Sequence, residues 1–257
     1  MTQEEEKAFY QAEFARYMSL RGAAGETVPE EHFQKNQVEA ERRLSNLQPY
    51  LRKEMSVLEV GSSTGFMLSA IAPHVASVSG VEPNRLYADY ARGRSIKVFG
   101  DLAEAGDKSY DLILAYYVLE HLRDPVDYLK RLCRMLNPNG TLALEVPNVD
   151  DALVKLYQIE SFDRFYWQKA HYYYYSHETL EMVLKRAGFN SVAVIPEHRY
   201  DFSNHLYWML KGEPGGKGKY SQIFDARMDR VYAECLKAKW LCDTIFGLAR
   251  KTGLLAD

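Results

Sequence analysis

An apolar run, Val57-Leu58-Glu59-Val60, breaks at Gly61 and resumes at Phe66 with helical spacing through Met67, Ala70 and Ile71. That pattern is a buried strand, a tight glycine turn and the first turn of a helix. Such a unit points backbone N–H groups at whatever sits above the strand end. Gly61 is free to take φ > 0, and Gly65 keeps a Cβ out of a ligand's way. A dinucleotide turn needs a glycine two positions after the first, and Ser63 stands there. A phosphate-binding P-loop needs Gly-Lys-Ser/Thr, and the turn has no lysine. What remains is Glu59-x-Gly61-x-x-x-Gly65. An ordinary βα turn without a ligand is the alternative on this stretch alone.

From this unit the chain alternates. Strands are expected at 56–60, 75–81, 96–99, 110–116 and 141–147. Helices are expected at 64–72, from Pro83 as first helical residue to about Arg92, and after Asp124-Pro125. Asn137-Pro138-Asn139-Gly140 reads as a turn. Alternation of this period implies an α/β fold with a doubly wound parallel sheet, helices on both faces and mostly apolar strands. Ser176 is placed as the N-cap of a further helix with Thr179 at its third position, and Gly188 after its end. Strands at 189–194 and 244–250 bring the sheet to seven, with a helix at about 221–240 inserted between them. Ahead of the sheet, helices are expected at 4–20 and 30–48, the second striped by Phe33, Val38, Leu44 and Leu47 and ended by Pro49. They read equally as a pad on the sheet or a lid over a ligand. Residues 1–50 are therefore taken as a helical N-terminal lid and 51–257 as the main domain, with cap segments at about 148–175 and 204–241.

The turn, with an acid at the end of the second strand (Glu82), another after the third (Asp101) and Tyr116-Tyr117 after the fourth, resembles class I S-adenosylmethionine-dependent methyltransferases. Cys-Gly is usual where this chain has Ser62-Ser63. All four positions fall at strand C-terminal ends, where open parallel sheets bind ligands. The resemblance covers residues 55–147 and the last helix and strand. It extends to Tyr110-Asp111-Leu112-Ile113, Leu119-Glu120-His121-Leu122 and Pro138-Asn139-Gly140, as in small-molecule members. It implies a Rossmann-like, seven-stranded, mostly parallel sheet. It implies S-adenosyl-L-methionine as cofactor and S-adenosyl-L-homocysteine as product. Glu59, Gly61, Ser62, Ser63 and Gly65 would cradle the methionine part, Glu82 and Pro83 the ribose, Asp101 and Leu102 the adenine. Tyr116 would lie where cofactor meets substrate. No Asn/Asp-Pro-Pro-Tyr follows the fourth strand, unlike nucleic-acid amino methylases.

Methyl transfer from a sulfonium needs alignment and exclusion of water. An alcohol acceptor also needs a base, and histidine suits neutral pH. His121 and His171 are the catalytic candidates, with His177 behind them. Aromatics crowd 162–175, ending in Tyr172-Tyr173-Tyr174-Tyr175, and four consecutive tyrosines cannot all face one way. Tyr117, Trp167, Tyr174, Arg199 and Asn204 are the substrate-binding candidates, Arg199 suited to a phosphate or carboxylate. This aromatic portion is similar to methyltransferases of sugar and surface-polysaccharide pathways.

Composition narrows the partners. A formal net charge of -3 without a basic run argues against nucleic acid. Cys133, Cys235 and Cys242 form neither an even disulfide set nor a close-spaced metal motif, so no metal is expected and a reducing compartment is suggested. The acidic start Met1-Thr2-Gln3-Glu4-Glu5-Glu6 lacks a signal-peptide pattern, which makes cytoplasm the default expectation. No apolar stretch reaches the length of a membrane span. The expectation is O-methylation of a small polar acceptor such as a sugar, nucleotide-linked sugar or glycan precursor. N-methylation of an amino sugar or small amine, a non-catalytic cofactor-binding module and a nicotinamide dehydrogenase are the alternatives.

Overall fold

A computed structural model describes residues 28–106 and 108–251. The expected helix at 4–20 and most of the loop after it lie outside the described residues. In chain order the elements are α1 (Pro29–Lys35), α2 (Gln37–Leu47), β1 (Ser56–Val60), α3 (Phe66–Ile71), β2 (Ser77–Val81), α4 (Arg85–Gly93), β3 (Lys97–Phe99) and β4 (Tyr110–Tyr116). Then come α5 (Pro125–Arg134), β5 (Leu136–Pro147), α6 (Ala152–Lys155), α7 (Glu160–Tyr166), α8 (His177–Arg186), β6 (Ser191–Glu197), α9 (Phe202–Lys211), α10 (Ala226–Ala238) and β7 (Thr244–Arg250).

The seven strands form one sheet in the order β3-β2-β1-β4-β5-β7-β6. β1 pairs in parallel with β2 and with β4, and β2 with β3, while β6 and β7 pair antiparallel. The fold is therefore the expected Rossmann-like, mostly parallel α/β sheet. Central strands are buried almost throughout, as strands covered on both faces must be. β6, at the sheet's edge, alternates exposed and half-buried residues instead.

The chain divides into two compact units. One runs up to Ala115 and includes Arg134–Leu142; the other takes Tyr116–Cys133 and the chain from Ala143 on. In the first, α1 and α2 pack beside the glycine turn. His32 Nδ1 lies 3.2 Å from Thr64 Oγ1, and its ring sits 4.9 Å from that of Tyr87. In the second, α6, α7 and α9 close around a separate aromatic core of Leu153, Phe162, Tyr166 and Trp208.

Several boundaries differ from the sequence reading. Pro83 lies outside α4: Asn84 is the N-cap, its side chain accepting from Tyr87 N, so the helix starts at Arg85. The expected helix at 30–48 is two helices broken at Asn36, and Val38 is 65% exposed rather than part of the stripe. Buried Ala40 and Arg43 take the inner face of α2 instead. β5 begins at Leu136, through the expected turn, with Asn139 at φ 65° as the left-handed residue there. The inserted segment between β6 and β7 holds two helices, not one. Asp201 caps α9 by accepting from Asn204 N, and Gly212 (φ 68°) ends it. Ser176 does form the reciprocal capping box with Thr179 at the start of α8.

Candidate active site

In the first unit the glycine turn is built by its own φ angles. Gly61 (φ 69°), Ser63 (φ 49°) and Gly65 (φ 75°) are all left-handed. A side chain at Gly65 would meet Ile96 Cδ1 at 2.8 Å as well as straining the backbone. Glu82 braces the turn from the end of β2: one oxygen accepts from Ser63 N and the other from Asn84 N, both at 2.8 Å. Burial pushes the Glu82 carboxyl up, and those two amides pull it back. Ser62 packs against β2, where only a glycine, Gly80, leaves it room.

Glu59 is the anomaly of this unit. It is buried on β1, and its Oε2 has no hydrogen-bond partner. Burial raises its pKa to about 8; the Arg43 guanidinium opposes that and Glu82 adds to it. A buried carboxylate oxygen without a donor at a strand end is suited to an incoming ammonium group. Arg43 was not singled out in the sequence; its position on the inner face of α2 is the signal that would have found it. Asp101 is exposed, and its Oδ1 already accepts from Ala103 N and Glu104 N, while Leu102 beside it is buried. Pro83 separates the bracing Glu82 from the capping Asn84.

The second unit begins where β4 ends. Tyr116 is buried, and Tyr117 is held at φ 56°, an unusual conformation for a bulky residue. Its hydroxyl lies 2.5 Å from Thr244 Oγ1, and its ring carries the Arg199 guanidinium at 4.9 Å. Arg199 is engaged by Asp243: Nε donates to Oδ2 at 2.6 Å and the backbone N to Oδ1 at 2.8 Å. Burial pushes the Asp243 carboxyl up, but Arg199 and then His198, 3.3 Å away, override it and hold the group well below the usual carboxylate range. The cation expected to await an anionic substrate thus sits against a carboxylate within its own unit. Asp243 was missed because it stands alone at the start of an apolar strand.

A turn of 3₁₀ helix, Leu119–His121, follows Tyr117. Glu120 is wholly buried, and neither of its carboxylate oxygens has a hydrogen-bond partner. Burial raises its pKa to about 8. Both amides of Tyr172 and Tyr173 donate to the Glu120 carbonyl, at 2.8 and 3.4 Å, which pins the His171 segment beside it. His121 and His171 meet edge to face with ring centroids 4.7 Å apart. His121 Nδ1 is 3.0 Å from the Ala170 carbonyl, an acceptor, so this nitrogen carries the hydrogen and Nε2 keeps the lone pair. Burial lowers the His121 pKa to about 4, keeping the ring neutral. His177 stands outside the pair, stacked on Trp240 at 3.9 Å.

The four tyrosines divide by role. Tyr172 accepts from Arg123 Nε, Tyr173 donates to the Arg123 carbonyl, and Tyr175 is buried with its hydroxyl toward the Leu119 carbonyl. Tyr174 donates to the Tyr166 carbonyl and accepts from Gln168 N, so its hydroxyl tightens the loop. Trp167 is 45% exposed, edge-on to Tyr174. Asn204 is buried in α9, and the chain folds back so that Gly216 packs on its Cα.

A mostly parallel sheet with a left-handed glycine turn after its first strand, an acid on that strand with one oxygen lacking a hydrogen-bond partner and a bracing acid on the next fits one class: an S-adenosylmethionine-dependent methyltransferase of class I. The chain belongs to the family described as "Methyltransferase domain", whose model matches residues 31–194. Among curated relatives, it is similar to a ubiquinone biosynthesis O-methyltransferase of Azorhizobium caulinodans, 30% identical over 110 residues, which are 37% of this chain and 42% of that protein. It is also similar to a tRNA U34 carboxymethyltransferase of Pseudoalteromonas translucida, 27% identical over 168 residues, 60% of this chain and 50% of that protein. The chain thus spans half or less of the length of these two relatives. Among solved structures, a putative methyltransferase in complex with the Haloferax volcanii Trm112 activator shares the fold with a TM-score of 0.62 at 14% identity, covering 96% of this chain and 100% of that one. A possible histamine N-methyltransferase of Thermotoga maritima shares it with a TM-score of 0.56 at 20% identity, covering 96% and 100%.

Proposed function

We propose that the protein methylates a hydroxyl oxygen of a small, polar, ring-bearing acceptor, a sugar or sugar-linked precursor being the class expected. The observation that carries this reading is the His121–His171 pair, brought edge to face, with His121 Nδ1 tied to the Ala170 carbonyl so that Nε2 is the basic nitrogen of the ring. The O-methyltransferase among the relatives supports oxygen as acceptor, and the absence of a basic run supports a small molecule over nucleic acid.

S-adenosylmethionine is the methyl donor of the class, and it supplies an electrophilic methyl on a sulfonium. In this reading Glu59 takes the donor's ammonium group, the amides of the Gly61–Gly65 turn its methionine part, Glu82 and Pro83 the ribose side, and Asp101 and Leu102 the adenine side. His121, with His171 against it, draws the proton from the acceptor hydroxyl as the oxygen becomes nucleophilic. Tyr117, Trp167 and Tyr174 offer walls for a ring, and Asn204 and Arg199 polar contacts. Because Arg199 is shared with Asp243, it acts as a hydrogen-bond donor rather than as a free anion trap. Residues 1–50 are assigned the part of a lid, whose described portion includes α1, with His32 against Thr64 and Phe66, and α2, with Arg43 over the Phe66 ring.

The test is steady-state transfer with a panel of hydroxyl, amine and tRNA acceptors. His121→Ala is expected to lower kcat by about 10²–10⁴ while S-adenosylhomocysteine binding stays within about threefold of wild type. Unchanged kcat in that variant, or turnover of amines or tRNA alone, would overturn the assignment.

A further inference from the structure

Wholly buried and without a partner for either oxygen, the Glu120 carboxylate needs an explanation. The fold invests in keeping it there: two amides, of Tyr172 and Tyr173, hold the His171 segment against the Glu120 carbonyl. One donor atom from each of Glu120, His121 and His171 lies within 4.8 Å of the others. We propose that Glu120, His121 and His171 form a binding site for one divalent first-row transition cation, of the Zn2+ or Co2+ kind.

Three features fit. Two imidazoles and a carboxylate are the donor set that first-row cations prefer over Mg2+ or Ca2+, which favour all-oxygen shells. The hydrogen bond from His121 Nδ1 to the Ala170 carbonyl is the outer-shell contact that fixes a ligating imidazole's tautomer and aims Nε2. Tetrahedral ligands at about 2.0–2.1 Å stand roughly 3.4 Å apart, so the three side chains close on an ion by moving about 1 Å. A cation would also add to the positive charge of the Arg199 guanidinium, which already favours the ionised form of the buried carboxyl. Sequence spacing hid the site, because Glu120 and His121 are adjacent while His171 arrives fifty residues later, past β5 and α7.

This inference refines the acceptor reading above and rests on it only for its purpose. With three protein ligands a bound ion would keep open positions, and an acceptor hydroxyl held at one of them would be acidified, its proton passing to solvent water rather than to the ligating His121 Nε2. His121 and His171 would then act on the hydroxyl through the cation. Binding itself is independent of any acceptor.

The experiment uses the full chain, stripped with a chelator and titrated with Co2+ alone, then with Zn2+ in competition. Visible d–d absorption reads the coordination, and elemental analysis reads the stoichiometry. One Co2+ per chain is expected, with Zn2+ displacing it and thermal stability rising with Zn2+ concentration. His171→Ala and Glu120→Gln should each weaken Co2+ binding at least about tenfold, and His177→Ala, stacked on Trp240 outside the cluster, should leave it unchanged. S-adenosylhomocysteine binding by each variant checks that it is folded; should Glu120→Gln fail that check, His171→Ala decides alone. No saturable uptake by the wild type, or uptake untouched by His171→Ala, would overturn the site. In that event the methyl-transfer reading stands with His121 as the direct base; loss of S-adenosylhomocysteine binding by the wild type would instead strike that reading.

Discussion

At the scale of single residues, two carboxylates show how burial and partners set opposite protonation states. Glu59 is pushed up to about 8, so in the free protein it holds its proton at neutral pH. In the proposed reading the donor's ammonium favours the ionised form, so binding would release that proton. Affinity for S-adenosylmethionine should tighten between pH 6 and pH 8, by at most about tenfold per unit, and level off above 8. Glu59→Gln should weaken binding by about 1.5–3 kcal/mol and abolish the slope, both readable by calorimetry across that range. Asp243 lies at the other extreme. Its depressed pKa means that its contribution to stability is complete above about pH 4, the unfolded carboxylate's value, and is lost as the pH falls below that. Asp243→Asn leaves the Arg199 guanidinium without its carboxylate and should cost about 3–5 kcal/mol in denaturant unfolding at pH 7. A loss under 1 kcal/mol would show that the pair is not a structural anchor.

At the scale of elements, the glycine turn depends on its neighbour strand as much as on its own residues. A methyl group at Gly80 would stand 2.3 Å from Ser62 Oγ and 2.7 Å from its Cβ. Gly80→Ala should push the turn off β2 and weaken S-adenosylhomocysteine binding at least about tenfold, the 1.4 kcal/mol of a minor core overpacking; unchanged affinity would show that Ser62 has room to move. By contrast Ser176→Ala, which breaks the capping box of α8, should lower stability by about 1 kcal/mol without altering ligand binding. The sheet was legible because its signals are local: β4 and β7 fall where alternation and apolar runs put them, and the glycine turn names its strand and helix. α9 was not, because its apolar residues, Trp208 among them, serve a small aromatic core assembled from α6 and α7. The break in the front helix at Asn36 was equally hidden, since residues on both sides of it keep helical spacing.

Across the whole molecule, the geometry of the proposed cofactor half was readable because one stretch of chain, the left-handed glycine turn after β1 braced by Glu82 at the end of β2, builds it. The acceptor half was readable only in part. His121 and His171 do meet, yet Glu120 gained its meaning from burial, and Arg199 lost its expected freedom to Asp243, a residue forty-four positions away. Most of the tyrosine run turned out to bind its own backbone, through Tyr173, Tyr174 and Tyr175. The proposed function therefore divides by unit: donor recognition is proposed for the unit carrying β1 and β2, acceptor activation for the one carrying His121 and His171. The most direct measurement of that account is transfer of a deuterated methyl group from S-adenosylmethionine to a panel of hydroxyl-bearing sugars and their conjugates, with the label located by mass spectrometry. The account predicts label on an acceptor oxygen with wild-type protein, and its loss in His121→Ala at unchanged donor affinity. Label found only on nitrogen, or full labelling by His121→Ala, would contradict it.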